Sequence, residues 1–174
     1  MKHFKYLAFW ALALPFIFTS CSDDDDVWNT TGGGKVEMES PDRAFILNEG
    51  SMGKNNSNII YFDWASGKVN SSCLFNQQNG RQLGDTGNDI ITVDDNRLVV
   101  AVNVSNYVTL LDGYGMEKSR ISFEQYKNLG QVRSIDEENG IVYATSYGGY
   151  VSRLRIQGDK LVYMDSLRVG DRPE

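Results

Sequence analysis

The sequence predicts an all-β fold of repeated antiparallel sheets, and three observations predict it. Short apolar runs rich in Val, Ile and Tyr recur along the chain. Polar segments carrying Gly, Asn and Asp separate them. The combined pattern returns at a spacing of about 40 to 50 residues, the range expected of a structural repeat.

The first forty residues stand apart from that pattern. Lys2, His3 and Lys5 precede an apolar stretch over residues 6–18, which closes on Thr19, Ser20 and Cys21, the layout of a secretory leader. Thirteen apolar positions broken by Pro15 fall short of the roughly 20 residues that span a bilayer. Phe18-Thr19-Ser20-Cys21 resembles the lipobox of bacterial lipoproteins, with Phe18 where that pattern has Leu. The resemblance implies a signal peptide over residues 1–20 and a lipid on Cys21; ordinary cleavage with an unmodified Cys21 is the alternative. Four adjacent carboxylates, Asp23 to Asp26, repel one another and favour a solvated tether. The run resembles the acidic export tag of Bacteroidetes surface lipoproteins, which implies a protein anchored in the outer membrane and facing the cell exterior. A plain acidic spacer or a weak calcium site would read the same way. Thr30-Thr31-Gly32-Gly33-Gly34 adds flexibility, so residues 21–40 are expected to be a linker ahead of a domain over 41–174.

The repeat begins at residues 44–48, whose counterparts are 98–103 and 141–145. A second strand follows each after a polar loop, at 59–63, 108–112 and 151–156. Asp63 and Asp112 close their strands 49 residues apart, and Arg155 holds the equivalent place 43 residues later. Both aspartates precede Gly-containing turns and read as turn formers. Third strands are expected at 68–75, 118–123 and 160–167. The junctions repeat as Leu83-Gly84-Asp85, Leu129-Gly130-Gln131 and Val169-Gly170-Asp171, the first two leading into further strands at 90–93 and 132–135.

Four strands per unit at this spacing describe the blade of a β-propeller. Helical hairpins would repeat at similar lengths, but the runs lack helical periodicity and Gly interrupts every unit. Continuous apolar runs suit strands buried on both faces between neighbouring blades. Two fairly complete blades and part of another are present, whereas propellers close with about 4 to 8. The expectation is therefore a partial propeller, part of a chain of roughly 300 to 400 residues if seven blades of about 45 complete it.

Composition narrows the functions. Lys2 and Lys5 leave with the leader, so 15 basic residues face 23 acidic ones, a formal net charge of about −8. Nucleic acid is a poor partner for such a surface, and contact with membrane is expected through the lipid anchor alone. His3 is the only histidine and Cys73 the only thiol beyond Cys21. A His-based triad, a His or Cys zinc site and an intrachain disulfide are thereby excluded from the mature chain. No cofactor is expected, and no catalytic centre.

Residues 98–112 and 141–156, with Val142-Tyr143-Ala144-Thr145-Ser146 at the core of the second stretch, resemble the repeats of YVTN or YncE-like propellers. Asn48-Glu49-Gly50-Ser51-Met52-Gly53, residues 83–90 and Val102-Asn103-Val104-Ser105-Asn106 are similar to a branch of Bacteroidetes surface lipoproteins that includes BtuG-like cobalamin-capturing proteins. The resemblance covers residues 44–174. It implies capture of a nutrient, cobalamin being the most specific candidate, and its transfer to a TonB-dependent outer-membrane transporter.

In a four-stranded antiparallel blade, the loop between second and third strands emerges on the same face as the junction to the next blade. One face thus collects residues 48–58, 103–107 and 146–150 from within blades, with 76–89 and 128–133 from between them. The opposite face collects short turns at 66–67, 94–96, 137–140 and 158–159. Asn, Ser and Tyr beside Gly suit adaptable hydrogen bonding and stacking, and Met52 offers a flexible apolar contact. The expected ligand contacts are Asn48, Glu49, Met52, Asn103, Asn106, Tyr107, Tyr147 and Tyr150, with Asp85 and Arg133 from the junctions. Turn geometry alone also accounts for Asn and Gly in loops. An adhesion or protein-interaction propeller is the second function in view, and a propeller hydrolase or lyase the third.

Overall fold

The computed structural model describes residues 42–94 and 96–174. The leader, Cys21 and the linker lie outside the described residues, as does Asp95. Three antiparallel sheets follow one another along the chain. The first contains β1 (Arg43–Asn48), β2 (Asn58–Asp63) and β3 (Lys68–Asn70). The second contains β4 (Gly87–Val93), β5 (Arg97–Val102), β6 (Tyr107–Leu111) and β7 (Glu117–Ser122). The third repeats that order with β8 (Val132–Glu138), β9 (Ile141–Ser146), β10 (Tyr150–Gln157) and β11 (Lys160–Arg168). The fold is all-β, and the sheets are partial propeller blades.

Period-two alternation explains why the second sheet is the centre of the molecule. Leu98, Val100 and Val102 of β5, with Tyr107 and Leu111 of β6, meet Ile59 and Tyr61 of the first sheet. Val99, Ala101, Val108 and Leu110 point the other way onto Val142, Ala144 and Leu154 of the third. Each fully buried Val or Leu is worth about 1.5–3 kcal/mol, and β6 buries all five of its residues.

Burial on both faces, expected of every blade, holds only for this middle sheet. In β9, Val142, Ala144 and Ser146 are buried while Ile141, Tyr143 and Thr145 are half-exposed. Leu167 and Val169 stand in solvent on the same outward side of the third sheet. Among the described residues that sheet has a packed neighbour on one face only.

One predicted strand is corrected. β3 ends at Asn70, and the chain then forms a short helix, α1 (Leu74–Asn79), where residues 71–75 were expected to continue the strand. Leu74 and Phe75 are adjacent and both buried in the core between the first two sheets, which suits a helix turn wedged there and not an alternating strand. Gly80 terminates the helix in the left-handed region at φ 65°. Gln78 and Asn79 donate to the carbonyls of Tyr114 and Gly115, both at 2.8 Å, so this part of the 76–89 segment reaches the turn between β6 and β7 at the opposite end of the sheet from the junctions. Asp63 and Asp112 do form turns: Asp63 accepts from the Ser66 amide at 2.9 Å, and Asp112 from the amides of Tyr114 and Met116 at 2.9 and 3.0 Å.

Candidate functional site

The topology gathers the β1–β2, β5–β6 and β9–β10 connections at one end of the sheets together with the junctions into β4 and β8. This end is called the loop face. The first two connections grip the start of the next sheet, and the third holds the segment that follows β11. The Gly87 amide, at the head of β4, lies 3.2 Å from the Glu49 carbonyl and 3.0 Å from the Ser57 hydroxyl. Val132, at the head of β8, gives its carbonyl to Asn103 Nδ2 at 2.6 Å and its amide to Asn106 Oδ1 at 3.1 Å. The Val169 amide donates to the Gly149 carbonyl at 2.9 Å.

These clamps account for several of the predicted contacts. Asn103 is 4% exposed and its amide group is spent on Val132. Asn106, half-buried with φ 53°, occupies the left-handed region that Asn tolerates better than other non-glycine residues. Asp85 is buried and accepts from the Gly53 amide at 2.7 Å and the Thr86 hydroxyl at 2.9 Å, tying the long 48–58 loop to the junction. Tyr107 is 3% exposed; its hydroxyl donates to the Leu83 carbonyl and the Arg120 guanidinium lies 3.9 Å from its ring centroid. Burial pushes the Tyr107 hydroxyl above the usual tyrosine range, against the opposing charge of Arg120. Asp85, Asn103 and Tyr107 therefore meet the protein interior and not the solvent of the loop face. Tyr150 is half-buried against the core between the second and third sheets.

Four predicted residues are exposed on the loop face. Asn48 donates to Asn58 at 2.9 Å across the base of the long loop, Glu49 and Met52 stand on it, and Met52 is 76% exposed. Tyr147 is the fourth, and it pairs with half-buried Arg133. The Arg133 guanidinium carbon sits 5.4 Å from the Tyr147 ring centroid, and Arg133 donates to the Tyr147 hydroxyl. Its other terminal nitrogen lies 2.6 Å from the Glu174 carboxylate. The hydrogen bond to Tyr147 and the charge of Glu174 hold Arg133 firmly protonated. Asn88 steadies the backbone by donating to the Arg133 carbonyl at 2.8 Å.

Ser57 and Asn88 have roles here that sequence reasoning missed. Neither lies in a repeated position of the junction string, and their one-letter context is that of ordinary loop residues. Asp89 is a third: its carboxylate accepts from the Ile135 amide at 2.8 Å and joins the two innermost strands. Chemically, the arrangement is a planar cation beside an aromatic ring, with the Glu174 carboxylate on its other terminal nitrogen. A cation and a ring so placed suit contact with a flat or apolar surface that carries polar atoms.

No protein-family model and no curated protein matches the chain. Among solved structures, it is similar to U3-55K with a TM-score of 0.51 at 9% sequence identity, over 73% of this chain and 39% of that one. It is also similar to the computationally designed Ika8 protein, with a TM-score of 0.45 at 13% identity, over 65% of this chain and 32% of the other. The first likeness is one of fold alone. The chain spans about two fifths of the length of U3-55K.

Proposed function

We propose that this chain belongs to a surface lipoprotein that captures a nutrient on its loop face and passes it to a TonB-dependent outer-membrane transporter. Cobalamin is the candidate ligand that the sequence resemblance implies. Anchorage through Cys21 and the acidic run behind it belong to the same reading.

The observation that carries this reading is the Arg133–Tyr147 pair. Both side chains reach solvent, and both are set by backbone that the blade-to-blade clamps hold in place. A first contact layer held by a second is the arrangement that lets a site bind without an ordering cost. Exposed Met52 on the 48–58 loop of the first sheet also suits a protein partner, and an adhesion propeller is the second reading.

The test is a calorimetric titration of the mature lipoprotein with cobalamin, alongside Arg133→Ala and Tyr147→Ala. Binding that weakens at least about tenfold in either variant, with unchanged melting, supports capture at this pair. Undiminished binding in both variants, or no binding by the parent protein, overturns it.

A further inference from the structure

The strand registers put the three sheets in correspondence. Leu98 lies opposite Leu111 and Val142 opposite Leu154, as Ala44 lies opposite Phe62. Val100 with Thr109, and Ala144 with Ser152, correspond in the same way to Ile46 with Ile60. On the second and third sheets every one of these residues is buried, and the apolar ones pack on the sheet before them. On the first sheet, among the described residues, the same face is bare: Ile46 is exposed, and Ala44, Ile60 and Phe62 are half-exposed. Exposed Val69 lies opposite Phe62, and exposed Trp64 meets its ring edge-on at 4.6 Å between centroids. The third sheet is bare on its other side. Tyr143, Thr145, Val151 and Arg153 hold the places of Val99, Ala101, Val108 and Leu110, which the third sheet covers on the second. Tyr143, Val151, Arg153, Asp165, Leu167 and Val169 line a hollow of about 500 Å³ there. Arg153 donates to Asp165 at 2.7 Å, so its charge is met within the face.

We propose that these two bare faces are the halves of one interface between copies of this chain: the third sheet of one copy seats on the first sheet of a second. The molecule already makes this contact twice within itself, between its first and second sheets and between its second and third. The counterparts of both bare faces are therefore surfaces that this fold packs sheet against sheet. Contiguous exposed apolar patches of this kind mark interaction sites. The chemistry of the two faces matches as well. The first sheet presents the Phe62–Trp64 aromatic pair, and the third presents Arg153, whose guanidinium suits an aromatic neighbour. A contact between two different faces is head-to-tail, and it either closes into a ring or continues as a filament. Three sheets in each copy make six in a pair, within the range of about 4 to 8 at which propellers close. Two copies thus cover all four bare faces, and both loop faces lie on the same side of the ring.

Sedimentation velocity of the mature chain tests this, with Cys21→Ser so that no lipid drives association. The parent should sediment as a dimer. Ile46→Glu places a charge on the first-sheet face alone and Leu167→Glu on the third-sheet face alone, and each should raise the dissociation constant at least about tenfold. An equimolar mixture of the two variants retains one unaltered interface, so it should pair more tightly than either variant alone. Circular dichroism of each variant should match the parent; where it does not, Val69→Glu or Thr145→Glu takes its place on the same face. A monomeric parent overturns the proposal and leaves the faces to a different partner. So does a ladder of larger assemblies, a dimer that survives either substitution, or a mixture that pairs no better than its components.

Discussion

Asn103 and Val132 join the second and third sheets: the Asn103 side chain donates to the Val132 carbonyl at 2.6 Å while the Val132 amide reaches back to Asn106 Oδ1 at 3.1 Å. Two side chains of one turn therefore satisfy both backbone groups of the first residue in the next sheet. Asn103→Ala leaves that carbonyl unpaired in a buried setting, and should cost about 1–3 kcal/mol. Urea denaturation of the mature protein measures this as a lower midpoint at constant slope. An unchanged midpoint would show that water replaces the amide and that the clamp is dispensable.

Tyr107 and Leu83 form a second internal bond, hydroxyl to carbonyl. Tyr107→Phe keeps the ring in the core and should lower stability by about 0.5–1.5 kcal/mol, more if the Leu83 carbonyl stays dry. Ligand affinity should not change, since the hydroxyl faces the interior. A selective loss of affinity with intact melting would return Tyr107 to the binding surface.

Gly149 closes the turn between β9 and β10 at φ 87°, and a Cβ there would lie 2.2 Å from the Gly170 carbonyl oxygen. Gly149→Ala combines backbone strain with a clash against main chain, so a loss of at least about 1–3 kcal/mol is expected. Thermal melting checks this; a variant as stable as the parent would mean that residues 169–174 pack elsewhere in solution.

Glu117 bonds with Arg81, Arg120 and Thr109 on the outer strand of the middle sheet. Burial pushes its carboxyl up, but the bonds from Arg81, Thr109 and Arg120 outweigh this and hold it below the usual glutamate range. A carboxyl whose folded value is depressed stabilises the fold above its unfolded value, about 4.3, and that contribution is lost as pH falls through the folded value. Glu117→Gln should therefore be less stable than the parent near neutrality, and the gap should narrow below about pH 4. A gap that is constant with pH would assign the effect to packing.

Much of this architecture was legible in the sequence because buried strands announce themselves by composition. Leu98 to Val102 and Tyr107 to Leu111 are unbroken apolar runs, and they are the strands that two neighbouring sheets cover. α1 was not legible, because six residues are too few to show a helical period and Lys68 to Asn70 begin as a true strand. Gly80 after Gln77-Gln78-Asn79 was the available signal. The candidate site was legible as a face but not residue by residue. Asn103 and Asp85 read as loop residues, and only the three-dimensional meeting of a turn with the next sheet shows that their polar groups point inward. Tyr107 opens the apolar run of β6, a position whose burial outweighed its place beside a loop. Arg133 and Tyr147 lie 14 positions apart in the chain, a partnership that the pairing of β8 with β9 creates.

The direction of the innermost strands has a consequence for orientation in space. β4 and β8 both start at the loop face and run away from it. Arg133, one residue into β8, is therefore set at that end by the direction of its strand, and Tyr147 meets it there because β9 runs back to the same end. Anything that touches the two side chains would bear on the seam between the second and third sheets, so a small change in how those sheets meet would be felt first at this pair.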